Sequence, residues 1–270
     1  VRSGAWTEED WRKDFLRKMK RHTGRNGMAF ESLTESSHDA WIHLYRGHAF
    51  SRETQISYYL EGELTMMELD MELRKRSKGA HGVCDLMALL CDRHALECEP
   101  TMRLGVTHAD IRKALTSMKG GGRLGAMLDR MVTRKQAPDM ERTMAYFGLK
   151  LEPEHQIKEG EVQPAWLGLN LSMKAGKVTV STHMSASPLR MILMPGDEII
   201  AIDGRRTSNT KSLESALKGK IGQEVKMTYA HEGMLRTCSI ELPAAPRHNV
   251  KLSGKGNQKW RDYIATRQEK

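Results

Sequence analysis

The 270-residue sequence has few cysteines, few prolines and few aromatic residues. It contains 4 cysteines and 8 prolines, and aromatic residues make up 6% of the chain. So few cysteines in a chain of this length exclude a disulfide-rich scaffold and favour a reducing compartment, the cytoplasm. No apolar run approaches the length needed to cross a bilayer, and no signal-peptide pattern opens the chain, so we expect no membrane partner.

The net charge of +9 raises the question of a nucleic-acid partner. The densest basic segments are residues 17–21 and 74–78. Both lie at the C-terminal ends of predicted helices, where cations complement the helix dipole without any ligand. Aromatic residues that could stack bases are not interleaved with these cations. We therefore expect no nucleic-acid partner.

Metal-binding residues are present but do not form a recognised spacing. Cys84, Cys91 and Cys98 recur every seven residues, which predicts one stripe of a helix, most simply a buried face of small apolar side chains. Cys91 and His94 could supply half a zinc site, but no second pair stands at a suitable distance. We expect neither a metal site nor a cofactor within this chain.

The pattern of the sequence changes near residue 150. Before that point the periodicity is helical, with capping signals at Thr7 with Asp10 and at Thr107 with Asp110. After it, apolar residues alternate with a period of two and turn residues separate short strands. This predicts a multidomain α + β protein. Its parts are a helical domain at residues 1–152, a linker at 153–163, a small β domain with one or two short helices at 164–253, and a tail at 254–270.

Individual elements follow from the same periodicities. One helix is predicted over 37–45, with an inner face formed by Ala40, Trp41, Leu44 and Tyr45. A longer one over 53–77 buries a stripe formed by Ile56, Leu60, Leu64, Met67 and Met71. The many methionines are expected to fill the core. In the second half we predict strands over 166–171, 177–183, 198–202, 224–229 and 235–242, and a helix over 208–217.

Residues 194–204, MPGDEIIAIDG, closely resemble the signature strand of PDZ domains. Residues 166–169, WLGL, stand where that family has its carboxylate-binding loop. Backbone N–H groups around a glycine can turn inward as an anion site, here at Leu167, Gly168 and Leu169. The strand that follows could accept an extended peptide along its edge.

The resemblance therefore implies that peptide or protein C-termini are partners of this domain. An apolar wall for the terminal side chain would come from Leu213, Ala216 and Leu217 on the following helix. The alternative is that the β domain only packs against the helical domain and that its groove is closed.

The helical part resembles the glycyl aminopeptidase family of zinc metallopeptidases. The segments that carry the resemblance are 31–46 (ESLTESSHDAWIHLYR), 57–62 (SYYLEG) and 69–74 (LDMELR). In that family, such a helical segment follows the zinc-binding helix and precedes a PDZ domain. The family holds zinc through the two histidines of H-E-x-x-H and a downstream glutamate, and the glutamate of the motif activates the metal-bound water.

The H-E-x-x-H motif does not occur in this sequence. The resemblance therefore implies zinc in the full-length protein and an upstream metal-binding domain as a partner, while this chain alone should be inactive. Tyr59, with Tyr58 as the fallback, matches the tyrosine that donates a hydrogen bond to the oxyanion in related enzymes. Both tyrosines could instead be core residues.

Two hypotheses of different classes follow. The first is the C-terminal portion of a zinc aminopeptidase whose PDZ domain binds peptides or substrate tails. The second is a non-catalytic peptide-binding or scaffold protein that has lost the metal site. A parent reading frame that contains H-E-x-x-H would distinguish them.

Overall fold

The computed structural model describes residues 1, 3–43, 45–96, 105–154, 162–246 and 249–265. Helices form most of the chain before residue 150 and antiparallel strands form most of the chain after it, which confirms the predicted α + β fold class. The helices are α1 (Glu8–Thr23), α2 (Leu33–His38), α3 (Ala40–His43), α4 (Ser51–Thr54), α5 (Tyr58–Ser77), α6 (Val83–Cys91), α7 (His108–Ser117), α8 (Leu124–Thr133), α9 (Met140–Tyr146), α10 (Thr210–Leu217) and α11 (Gln258–Ile264).

Helix starts follow the capping signals of the sequence. The Thr7 hydroxyl accepts a hydrogen bond from the Asp10 amide at 3.1 Å, and the Asp10 carboxylate accepts one from the Thr7 amide at 3.0 Å. The same reciprocal pair forms between Thr107 and Asp110 at the start of α7. Each pair satisfies amide groups that the first helical turn leaves without partners, so both predicted helix starts are confirmed.

Helix α5 separates two apolar cores. The predicted stripe on one face is buried with α1 and α9, through residues such as Leu60, Leu64 and Met71. The other face places Leu69 and Leu73 in a second core with α6, α7 and α8. Because both of its faces are covered by other helices, α5 is the central helix of the helical part.

The segment before α5 differs from the predicted helices over 37–45 and 53–77. The chain turns at Asp39, and Gln55 is extended, with φ −111° and ψ 148°. The break at Gln55 has a tertiary cause, since the Glu31 carboxylate accepts from the Ile56 amide at 2.8 Å and the Ser36 hydroxyl donates to the Ile56 carbonyl.

The inner face predicted for residues 37–45 is largely wrong. Ala40 is buried, but Trp41 and Tyr45 are 81% and 60% exposed, because α3 is too short to turn them toward the core. Leu44 lies outside the described residues. The buried stripe predicted for the cysteines is also wrong at Cys84 and Cys91, which are exposed.

The second half of the chain forms a sheet with the strand order β2-β3-β4-β6-β7, with a short β5 paired to β4. The strands are β2 (Leu169–Lys174), β3 (Lys177–His183), β4 (Glu198–Ile202), β5 (Arg205–Arg206), β6 (Glu224–His231) and β7 (Met234–Glu241). Helix α10 places Leu213 and Leu217 in the core of this sheet. Strand β2 stands at the sheet edge and pairs with β3 on one side.

The chain returns to the helical part after the sheet. Strand β8 (Val250–Ser253) pairs with β1 (Lys150–Pro153), and the side chain of Trp260 on α11 is fully buried beside α1. Sequence analysis places residues 250–253 in the PDZ-like domain and 254–270 in a tail. The pairing partner of β8 lies a hundred residues away, where no local pattern reveals it.

Contacts near Phe50 and Glu53 join the helical part to the β sheet. Arg190 forms an ion pair with the buried carboxylate of Glu53 on α4. The ring of His183 on β3 stacks on Phe50, with 5.4 Å between ring centroids. The His183 ring also hydrogen-bonds to the Leu193 carbonyl at 2.7 Å, so its orientation is fixed from the sheet side.

No helix within the described residues is long and apolar enough to cross a membrane.

We predict that Trp260→Ala lowers the free energy of unfolding by about 3–5 kcal/mol, the usual cost of truncating a fully buried tryptophan. Trp260 packs against Trp11 with centroids 4.8 Å apart, and its indole N–H donates to Glu8 at 3.0 Å. Urea unfolding followed by circular dichroism measures the loss. Trp41→Ala, at an exposed tryptophan, is the matched control and should cost less than about 0.5 kcal/mol. Equal losses in the two variants would show that residues 258–264 do not belong to the folded helical part.

Candidate functional site

Tyr58 and Tyr59 open helix α5, and their rings lie 4.2 Å apart between centroids. Tyr59 is 64% exposed and Tyr58 is half-buried. The hydrogen bond with Tyr59 is the main cause that raises the pKa of Tyr58 to about 12. Tyr59 is therefore not a core residue, and the raised pKa keeps the Tyr58 phenol a protonated O–H donor near neutral pH.

An exposed aromatic face surrounds this pair, and the sequence analysis missed it. We define it as Trp41, Ile42, Tyr45 and Tyr59, all of which are at least 60% exposed. Trp41 stacks on Tyr45 with 5.1 Å between centroids, and Tyr45 is close enough to contribute to the raised pKa of Tyr58. Contiguous apolar surface of this kind marks interaction sites in folded proteins.

An open apolar cavity of about 550 Å³ adjoins the tyrosine pair. Its apolar lining comes from Leu33, Tyr58, Met66 and Val132. The cavity and the aromatic face together form an extended apolar surface around the start of α5.

The second candidate site is a groove between β2 and α10, with a volume of about 380 Å³. Gly168 has φ +67°, and a Cβ atom there would lie 2.6 Å from the Ser187 Cα atom. Only glycine fits this backbone position without strain. Within the described residues, the amide groups of Leu167 and Gly168 donate to no protein acceptor, so they remain available to an anion.

The structure brings five of the six predicted peptide-binding residues to this groove: Leu167, Gly168, Leu169, Leu213 and Leu217. Ala216 does not line it and packs against the core of the sheet instead. Sequence analysis missed Met184 and Glu214, which also line the groove. Met184 reaches the groove from the loop after β3, which no pattern near residue 167 reveals.

The histidines and carboxylates of the described residues do not fit a zinc ion, because no three metal-binding side chains come together. The nearest arrangements are pairs. His22 contacts the buried Glu61 carboxylate at 2.8 Å, and His43 contacts Glu31 at 3.1 Å. Zinc needs at least three protein ligands. Cys98, with the rest of residues 97–104, lies outside the described residues.

Two family models match this chain. Residues 1–65 match the M61 glycyl aminopeptidase family and residues 165–242 match the PDZ domain family. No curated protein matches the chain in sequence. The resemblance stated from the sequence is thus confirmed: residues 1–65 are similar to the glycyl aminopeptidase family and residues 165–242 to PDZ domains, in that order.

Solved structures extend the comparison. An aminopeptidase N family protein from Idiomarina loihiensis has a TM-score of 0.81 at 20% identity, over 97% of this chain and 45% of that protein. This chain therefore has its fold and spans less than half of its length. The PDZ domain of a carboxy-terminal protease from Vibrio cholerae, in complex with peptide, is 17% identical over 34% of this chain and 97% of that domain, with a TM-score of 0.24. The HtrA-type protease AlgW with decapeptide is 18% identical over 41% of this chain and 36% of that chain, with a TM-score of 0.29.

We predict that Gly168→Ala destabilises the PDZ domain by about 3 kcal/mol, because left-handed strain adds to a clash with the Ser187 backbone. Gly176→Ala is the matched control. Gly176 has φ +74°, but a Cβ atom there meets nothing within 4 Å, so this variant should cost only about 1–2 kcal/mol of strain. Urea unfolding measures both variants. Indistinguishable losses would contradict the close approach of Gly168 to Ser187.

Proposed function

We propose that this chain is the C-terminal helical and PDZ part of a glycyl-aminopeptidase-like zinc peptidase. Its metal would be held by an upstream segment carrying H-E-x-x-H, and the 270 residues alone would be inactive. The observation that carries the proposal is the match of residues 1–65 to the M61 family, combined with the exposure of Tyr59 at the end of that match.

The aromatic face supports an upstream partner domain. The four large side chains of the aromatic face are exposed around the start of α5. A self-contained domain would bury such side chains. The neighbour from Idiomarina loihiensis is more than twice as long as the part that this chain matches. A metal-binding domain docked on the aromatic face would cover this surface and face Tyr59.

Tyr59 is the proposed oxyanion donor, with Tyr58 as the fallback. An oxyanion needs a neutral O–H placed where negative charge develops. The high pKa of Tyr58 keeps that hydroxyl protonated, and its hydrogen bond to Tyr59 orients the two phenols relative to each other. In this proposal Tyr59, on the exposed side of the pair, reaches the substrate.

The PDZ groove is the proposed site for a peptide or protein C-terminus. The unpartnered amides of Leu167 and Gly168 suit a terminal carboxylate, and β2 offers a free sheet edge to an extended chain. The apolar walls from Leu213, Leu217 and Met184 suit an apolar terminal side chain. The cytoplasm is the proposed compartment, on the low cysteine content.

We predict that a labelled peptide with an apolar residue and a free carboxylate at its C-terminus binds the chain, and that amidation of this terminus weakens binding about tenfold or more. Fluorescence anisotropy measures both peptides. Met184→Ala should weaken binding of the free acid about three- to tenfold, because an apolar contact in the groove is lost. Met191→Ala, at an exposed methionine outside the groove, should leave affinity unchanged. Equal affinity for acid and amide would exclude carboxylate capture.

We predict that Tyr59→Phe in the longer, zinc-loaded enzyme lowers turnover by about 10²-fold, because one oxyanion donor is removed. Zinc content, measured by elemental mass spectrometry, should not change. Tyr45→Phe is the control on the same face and should retain full turnover. If Tyr59→Phe is fully active while Tyr58→Phe is impaired, the fallback assignment is correct.

The second candidate function is a non-catalytic peptide-binding or scaffold protein. The observation in its favour is that all groove residues lie within this chain, whereas no metal site is assembled among the described residues. A parent reading frame without H-E-x-x-H would favour this candidate, and one with the motif would favour the peptidase.

A further inference from the structure

A cavity of about 330 Å³ lies in the helical part, away from the tyrosine pair and the PDZ groove. One wall is a single face of α5, and the other is a single face of α8. The α5 residues are three or four positions apart and so share one face. The lining residues are Thr65, Glu68, Glu72 and Arg76 on α5, Met127, Arg130 and Met131 on α8, and Arg134 directly after α8. Residues 136–139 and Arg142 close one end.

The two buried glutamates that line the cavity are paired with arginines. Glu68 accepts from Arg142 at 2.6 Å and from the Asp139 amide at 3.1 Å. Glu72 pairs with Arg76 at 3.2 Å and with Arg142 at 3.4 Å. Both glutamates are buried. Asp139 also lines the cavity, and its carboxylate lies 3.5 Å from Arg142. Three carboxylates therefore share Arg76 and Arg142, and an excess of positive charge in the lining comes only from Arg130 and Arg134.

Three donors in the lining have no partner within the described part of the chain. Arg130 and Arg134 lie one helical turn apart and form no ion pair or hydrogen bond through their side chains. The Thr65 hydroxyl lines the cavity, is 2% exposed and makes no side-chain hydrogen bond. A buried hydroxyl without a hydrogen-bond partner is unfavourable unless a bound molecule supplies the missing hydrogen bond.

We propose that this cavity binds a small organic oxyanion, a phosphate ester or a carboxylate with a compact apolar body. The guanidinium groups of Arg130 and Arg134 present forked donors that match oxyanions, and the Thr65 hydroxyl supplies a neutral donor at the base. The apolar body fits the methionine side of the wall, at Met127 and Met131. Thr65 lies six residues after Tyr59, about 9 Å farther along α5, so this site is separate from the proposed oxyanion donor.

The test uses the whole 270-residue chain and three probes of similar shape: phenyl phosphate, phenylacetate and the neutral benzyl alcohol. Isothermal titration calorimetry at low salt should give one site per chain for at least one anion, with a Kd of about 1 mM or lower, and no binding of the alcohol. The stronger of the two anions identifies phosphate or carboxylate as the natural head group. No binding of either anion would overturn the proposal, and so would binding of the alcohol with the same affinity.

Variants locate the site. Arg130→Gln with Arg134→Gln should weaken the anion about tenfold or more, since two charge-assisted contacts are lost. Arg205→Gln with Arg206→Gln removes the same charge from the exposed strand β5 and should change affinity less than about twofold. Thr65→Val should weaken binding about threefold without lowering the melting temperature. Equal weakening by the two double variants would show that only net charge matters and would overturn the proposal, whatever the Thr65 variant does.

Discussion

Helix α5 is buried on both faces although it carries several acidic side chains. The helical part depends on one constraint, that each of these buried carboxylates is paired. A buried carboxylate without a cation is strongly destabilising, so each needs a partner from its own helix or a neighbour. The pairs are Glu61 with His22, Glu68 with Arg142, Asp70 with Arg74 and Glu72 with Arg76. Two of them tie α5 to α1 and α9. The same pairing engages Arg76 and Arg142 in the arginine-lined cavity, whereas Arg130 and Arg134 form no ion pair within the described residues.

The fixed position of α5 sets the arrangement of the rest. Its first turn carries Tyr58 and Tyr59 at the surface, and the segment before it, through Phe50 and Glu53, contacts the PDZ sheet. His183, which stacks on Phe50, is paired in register with Leu169 at the mouth of the peptide groove. The groove and the tyrosine pair are thus linked by a short series of packed residues. In the proposed enzyme, this link would hold a bound peptide tail at a constant distance from Tyr59.

Much of the fold could be predicted because its signals are local. The strands over 177–183 and 198–202 have the predicted bounds, and the threonine caps and the buried stripe of α5 follow from spacing alone. The PDZ groove was found through a short motif, and five of its six predicted residues line it. Ala216 packs against the core of the sheet instead. Helical spacing fixes a face to within one residue only, whereas the boundary between core and groove depends on how α10 rotates on the sheet.

The sequence by itself determined the two kinds of secondary structure, their order along the chain and the family that each part resembles. It also identified Tyr58, Tyr59 and Gly168 as residues of interest. Periodicity and motif encode these features within a few residues of one another. Only the tertiary structure decided which side chains are exposed, as at Trp41, and how distant segments meet. Strand β8 finds β1 a hundred residues away, and Arg130 stands opposite Thr65, because both arrangements depend on packing between elements that no local pattern specifies.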